Sequence, residues 1–210
     1  DSSTAPPPPP ADGVLERVDL EVGLPSRYVP TFTDAANPDN EYRCFYLDPG
    51  LDSSVYVSAL HPAIDNDALV HHVVLFTAPP GDLPAGYDPA VGVDCIDNVA
   101  GNITGMMAAW APGMLPVRFP EGVGLKIKAD DLIVMQLHYY ASTPEVAASG
   151  DQSSYQFTVE PEISEEVQMA PLGTQSFTIP AGDPAYTKEF ELEVPTYVPF
   201  SLNVYGMFPH

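Results

Sequence analysis

Basic side chains are scarce in this chain: seven lysines and arginines face 29 aspartates and glutamates over 210 residues, a formal net charge of −22. A surface of that sign repels nucleic acid and anionic lipid, so neither is expected as a partner. Apolar runs are short. None approaches the roughly 20 residues that a membrane-spanning helix needs, and no membrane-spanning segment is expected. Windows of helix length free of helix breakers are also missing, because 25 prolines and 15 glycines are spread through the chain. Cysteine is nearly absent. The pair that exists, Cys44 and Cys95, permits one disulfide in an oxidising compartment, or stands as two buried thiols.

The sequence opens on Asp1, in DSSTAPPPPPADG, with neither an initiator methionine nor a charged-then-apolar leader. That reads as a processed product of export, secreted, extracellular or periplasmic, whose residues 1–26 form a proline-rich tether. A lipid anchor suits such a tether, and so does docking on a neighbour or self-assembly. Asn102-Ile103-Thr104 is a glycosylation sequon, meaningful only in a glycosylating secretory pathway.

What the chain does hold is strand. VYVSAL, VHHVVLF, LIVMQLHYY, YQFTVE, QSFTI, KEFELEV and FSLNVYGMF are rich in β-branched and aromatic residues, several of them alternating. In KEFELEV, Lys188, Glu189, Glu191 and Glu193 interleave with Phe190, Leu192 and Val194, a strand with one wet face. An all-β sandwich is the expected class. The small-residue stretch ASTPEVAASGDQSS at 141–154 is either a domain boundary or a long surface loop.

Histidine is rare too, with five in all, yet His71 and His72 stand side by side in the apolar run LVHHVVLF. A buried imidazole needs a polar partner, so the pair is costly unless something uses it. His138 lies in a second apolar strand, VMQLHYY. Three imidazoles on two strands suit Zn, Cu, Fe or Ni, or stand as separately hydrogen-bonded histidines. Neighbouring residues of a regular strand point to opposite faces, so a shared ion requires a bulge or coordination through the ring nitrogen nearer the backbone. His61, before a proline, reads as a structural residue of an extended loop, and the final residue, His210, is ambiguous by itself.

Six pieces taken in order resemble one family: DNEYRCFYLD, VHHVVLF, Cys95, AAWAPGMLPVRFPEGVGLKI, VMQLHYY and VYGMFPH. The chain resembles the copper type II, ascorbate-dependent monooxygenases, which include peptidylglycine α-hydroxylating monooxygenase and dopamine β-monooxygenase. The resemblance implies two jelly-roll β-sandwiches, each holding one copper, with a gap between them. It divides this chain into a copper-binding sandwich over 27–160 and the first part of a second over 161–210. His71, His72 and His138 align with the ligands of the first, electron-transferring copper, and Cys44 and Cys95 with a family disulfide. Trp110, Pro112 and Gly113, with turns at Gly122 and Gly124, match a signature that reads as structural.

The second, oxygen-activating copper of the family is held by a His-x-His pattern and a distant methionine. His210 aligns with the first histidine of that pattern, and its companions do not occur in this sequence; Met207 is too near to replace the methionine. The second site is therefore expected to be incomplete here, with the remainder of the second domain or a neighbouring chain as a partner. Peptide-hydroxylating members carry an arginine where this chain has Phe208, which disfavours a peptide and favours an apolar or aromatic small-molecule substrate. The expected activity of the parent protein is hydroxylation of a C–H bond with O2 and a reductant, ascorbate or a similar molecule. A non-catalytic copper-binding or structural β module of an extracellular assembly is the alternative. A His-ligated zinc hydrolytic site is a third, weakened by the lack of a general base beside the histidines.

Overall fold

Alternation becomes a two-sheet sandwich in the computed structural model, which describes residues 13–95, 105–169, 177–189, 191 and 203–206. The strands in chain order are β1 (Leu20–Gly23), β2 (Asn40–Leu47), β3 (Val55–Ala63), β4 (Val70–Ala78), β5 (Val93–Asp94) and β6 (Met106–Trp110). They continue with β7 (Val117–Arg118), β8 (Val123–Ile127), β9 (Leu132–Tyr140), β10 (Ser154–Glu160) and β11 (Glu165–Val167), with a short helix α1 (Pro144–Ala147) before β10. The larger sheet runs β1-β10-β3-β8-β11, with β7 also pairing β3, and the smaller runs β5-β2-β9-β4-β6.

The core lies between the sheets. Val57, Leu60, Tyr155 and Phe157 of the larger meet Phe45, Leu75, Met135 and Leu137 of the smaller. Each such fully buried side chain contributes roughly 1.5–3 kcal/mol. β9 shows the logic of its sequence: Ile133, Met135, Leu137 and Tyr139 belong to this core, while Val134, Gln136 and His138 fall on the opposite face by alternation. That outer face is covered in its middle by a smaller cluster of Cys44, Tyr46, Phe76, Ala78, Cys95 and Val134. Cys44 of β2 and Cys95, just after β5, form the disulfide of that cluster.

Two glycines that the backbone requires follow Trp110, which is buried in the core. Gly122 has a positive φ of 77°, and a Cβ on Gly124 would lie 2.9 Å from the carbonyl oxygen of Val57, so both positions need glycine. The buried Trp110 and the turn at Gly122 are as expected of this stretch, whereas Gly124 lies within strand β8 and not at a turn.

Several expectations need correction. Residues 13–26 are not tether: β1 pairs β10, and Leu15, Val22 and Leu24 are buried. Its one-sided apolar pattern supplies an edge strand to a sheet that already exists. His61 is not in a loop but in β3, opposite Gln156 of β10. A proline follows it without breaking the strand, since at Pro62 β3 has a described partner on one side alone, Tyr155 of β10. Of the two readings of 141–154, the surface loop holds and the boundary does not: it connects β9 to β10 within one unit, exposed over most of 142–149, and Thr143 accepts from the Val146 N–H to cap α1.

Backbone contacts divide the chain into units Asp1–Met169 and Ala170–His210. Within the second, the rings of Phe177 and Tyr186 stack with centroids 6.2 Å apart, and the described residues form no strand. QSFTI, KEFELEV and FSLNVYGMF fall partly outside the described residues, as do the proline tract and the sequon entirely.

Candidate metal centre

A single extra residue in β4 brings the adjacent histidines together. Val70 pairs with Tyr139, but His72, not His71, pairs with His138, so His71 and His72 both oppose one residue of β9. This is a β-bulge, which re-aims the side chain of the inserted residue. Val70 and Val73 both reach the inner core although three positions apart, which records the change of face across the bulge. His72 is half-buried, His71 exposed and His138 6% exposed, so the cluster runs from the sheet to the surface.

All three rings converge through Nδ1. The Nδ1 atoms of His71 and His138 lie 3.1 Å apart, those of His71 and His72 3.3 Å, and those of His138 and His72 3.3 Å. Three donors placed tetrahedrally at metal–nitrogen distances of about 2.0–2.1 Å stand about 3.3–3.4 Å from one another. The triangle fits one transition-metal ion on its axis. Among the described residues this is the one group of three or more histidine, cysteine or acidic side chains close enough to share an ion.

β2 supplies the support. Tyr42 is the direct cross-strand partner of His138, and the two rings stack with centroids 4.1 Å apart and planes 5° from parallel. Burial pushes the Tyr42 hydroxyl pKa up. Asn40, two residues earlier on the same face, places Oδ1 2.8 Å from Nε2 of His138. An amide oxygen can only accept, so Nε2 carries the proton and the lone pair of His138 is on Nδ1. A second-sphere acceptor of this kind fixes both tautomer and ring orientation of a ligating histidine. Gln136, next on the outer face of β9, donates to the carbonyl of Cys95, tying the disulfide cluster to the histidine strand.

No general base comes from β2. Glu41, between Asn40 and Tyr42, accepts from the Tyr28 hydroxyl and from the N–H groups of Thr31 and Phe32. Burial alone would raise its pKa, but these hydrogen bonds and Arg43 outweigh burial and hold the carboxyl below its usual range. It is a structural anion whose oxygens are taken by these donors, so β2 offers the histidines no free general base.

Residues 30–145 match the family described as copper type II ascorbate-dependent monooxygenase, N-terminal domain. The match spans the bulge, His138, both cysteines and all of β2. The chain belongs to the copper type II ascorbate-dependent monooxygenase family. No curated protein matches it significantly. In this copper monooxygenase domain the histidines singled out from sequence, His71, His72 and His138, come together. His210 lies outside the described residues and beyond the matched segment. His61 sits on the larger sheet, where burial and then the charge of Arg118 lower its pKa. Asn40 and Tyr42 were quoted from sequence only as part of DNEYRCFYLD. Their signal is the register of β2 on β9, which no local pattern carries.

Proposed function

We propose that His71, His72 and His138 bind one copper ion, and that this domain is the electron-transferring half of an exported copper monooxygenase. The convergence of three Nδ1 atoms at 3.1–3.3 Å carries the reading. Copper bound there supplies a one-electron store. The bulge presents His71 and His72 to the same point, Asn40 keeps the His138 proton on Nε2, and Tyr42 shields one face of that ring from water. A sheet clamped on both sides of β9 holds the donors in place, which limits reorganisation when the charge at the centre changes.

The parent protein would use a second, oxygen-activating copper near His210 to hydroxylate a C–H bond of a small molecule with O2, the electron coming from ascorbate or a similar reductant. The remainder of the second domain, or a neighbouring chain, would complete that site, and Phe208 favours an apolar or aromatic substrate. The Cys44–Cys95 disulfide supports export, since such bonds persist in oxidising compartments. The test is copper titration of the wild-type chain and of His138→Ala, read by bound metal and by the paramagnetic resonance spectrum. One tightly held copper in the wild type and none in the variant, with unchanged circular dichroism, is expected. Full copper in His138→Ala would refute the ligand set and leave the structural module as the better reading.

A further inference from the structure

We propose that residues 13–16 form a strap across the outer face of the larger sheet that opens in acid, with His61 as its switch and Arg118 as its clasp. The device is independent of copper, since the three histidines of the metal centre belong to strands of the smaller sheet. The path of the strap follows from register. Ala59 of β3 pairs with Thr158 of β10 on one side and with Arg118 of β7 on the other, so the three stand in one row. The Thr158 hydroxyl donates to the carbonyl of Arg17, and Arg118 Nη2 donates to the carbonyl of Val14, 2.6 Å away. Residues 14–17 therefore cross β3 at Ala59. Leu15, midway, is 8% exposed, and so is Ala59. Neither belongs to the core between the sheets or to the disulfide cluster, which leaves the strap and the outer face of β3 to cover one another.

The two ends of the strap are held by different chemistry. At Arg17 the guanidinium bonds Asp19, Glu160 and the carbonyl of Val159; carboxylates keep their charge down to about pH 4. At the other end stands the bond from Arg118 to Val14, and beside it His61. That histidine is two residues from Ala59 on the same face of β3, opposite Gln156. Its Nδ1 is buried and bonds nothing, and the same is true of Arg118 Nη1. Among the described residues the third such atom is Trp110 Nε1, in the core. Two of the three orphans thus sit at one spot, and buried polar atoms left unpaired call for a reason.

A neutral imidazole tolerates this arrangement and an imidazolium does not. Its Nδ1–H would be a buried donor without an acceptor, next to a permanent cation. Burial, and after it the charge of Arg118, already hold the His61 pKa below the ordinary histidine value. The other charges near it are committed elsewhere. Glu21 of β1 accepts from Ser154 and Gln156, Asp19 and Glu160 hold Arg17, and Asp65 holds Arg27. Lys126 of β8 lies over the Tyr56 ring, and Glu16 of the strap is exposed. Protonation is relieved when the Arg118 side chain moves away, which breaks its bond to Val14 and frees the strap. Because the folded pKa lies below the unfolded one, closure is complete above about pH 6.5 and is lost as pH falls through the folded value. One proton is involved, so the opening equilibrium rises by at most about tenfold per pH unit.

The isotopically labelled chain is titrated by nuclear magnetic resonance from about pH 7.5 to about pH 5, across the ordinary histidine value. The His61 ring should titrate below about pH 6.5. With the same midpoint the carbonyl-carbon shift of Val14 should move and the heteronuclear Overhauser effects of Val14, Leu15 and Glu16 should fall, while those of Phe157, fully buried in the core, stay unchanged. His61→Gln, which cannot be protonated, should keep the strap closed over the whole range. Arg118→Met, which removes the clasp, should leave it open even at the high end. Strap signals that do not move in the wild type, an equal acid transition in His61→Gln, a closed strap in Arg118→Met, or a His61 ring that titrates at or above the ordinary value would each overturn the proposal.

Discussion

Replacing Asn40 by alanine removes the acceptor for the Nε2–H of His138, a contact of 2.8 Å, without touching a copper ligand. Loss of a second-sphere partner of a ligating histidine weakens metal binding about 10- to 100-fold. Here the lower end is expected. The Nε2–H tautomer is the one imidazole already favours in water, so the amide mainly orients the ring, and the stacked Tyr42 still limits its rotation. A tenfold loss corresponds to about 1.4 kcal/mol. Fold stability should change by less than about 0.5 kcal/mol, because Asn40 is only half-buried and its backbone N–H keeps its bond to Asn37 O. Asn40→Asp retains an acceptor and adds charge, so its affinity should equal or exceed the wild type. The assay is competition for copper against a chelator of known affinity, with melting temperatures measured alongside. Wild-type affinity in Asn40→Ala, within about twofold, would refute the orienting role. Equal weakening in Asn40→Asp would show that shape rather than acceptance matters.

Two further perturbations probe the scaffold. The Cys44–Cys95 bond closes a separation of 51 residues, worth about 4 kcal/mol in the chain-entropy account; guanidinium unfolding of the doubly alanine-substituted chain should show a loss of that order, and a loss under about 1 kcal/mol would contradict it. Glu41→Gln keeps volume but sets an amide NH2 among donors from Tyr28, Thr31 and Phe32, so a loss of roughly 1–3 kcal/mol is expected. Because hydrogen bonding holds the folded Glu41 pKa below its unfolded value despite burial, its contribution is complete above about pH 4.3 and is lost as pH falls through the folded pKa. Acid titration of stability should therefore be flatter in Glu41→Gln, and an unchanged acid limb would assign the acid sensitivity to other groups.

Strands were legible where both sides of a local pattern agree. VYVSAL, VHHVVLF, LIVMQLHYY and YQFTVE lie within or across β3, β4, β9 and β10, since β-branched residues bounded by Pro and Gly need no long-range information. The histidine pair announced its own geometry: two neighbours can share an ion across a bulge or through the ring nitrogen nearer the backbone, and here the register slips at that point and the rings meet through Nδ1. Pro62 misled at His61 because the tolerance of a proline depends on which side of a strand is unpaired, a property of the sheet and not of the segment. Asn40 and Tyr42 were invisible for the same reason. They lie 98 and 96 positions from His138 by number, and only the antiparallel register of β2 and β9 puts one opposite His138 and the other within hydrogen-bonding reach.

The placement of the centre on the outer face separates its upkeep from that of the fold. Leu137 and Tyr139, the chain neighbours of His138, are fully buried in the inner core, while His138 itself faces Tyr42, Asn40 and the other two imidazoles. Removing its ring leaves the inner core intact, which is why His138→Ala is expected to lose copper without unfolding. The same placement limits how far the ring can drift when the ion is absent, since β9 is paired along its length by β2 on one side and β4 on the other. His71 differs: it is the bulged residue, exposed, and held by one strand alone. If the charge state of the centre alters any ligand distance, His71 is where the backbone can yield, and His138 is where it cannot.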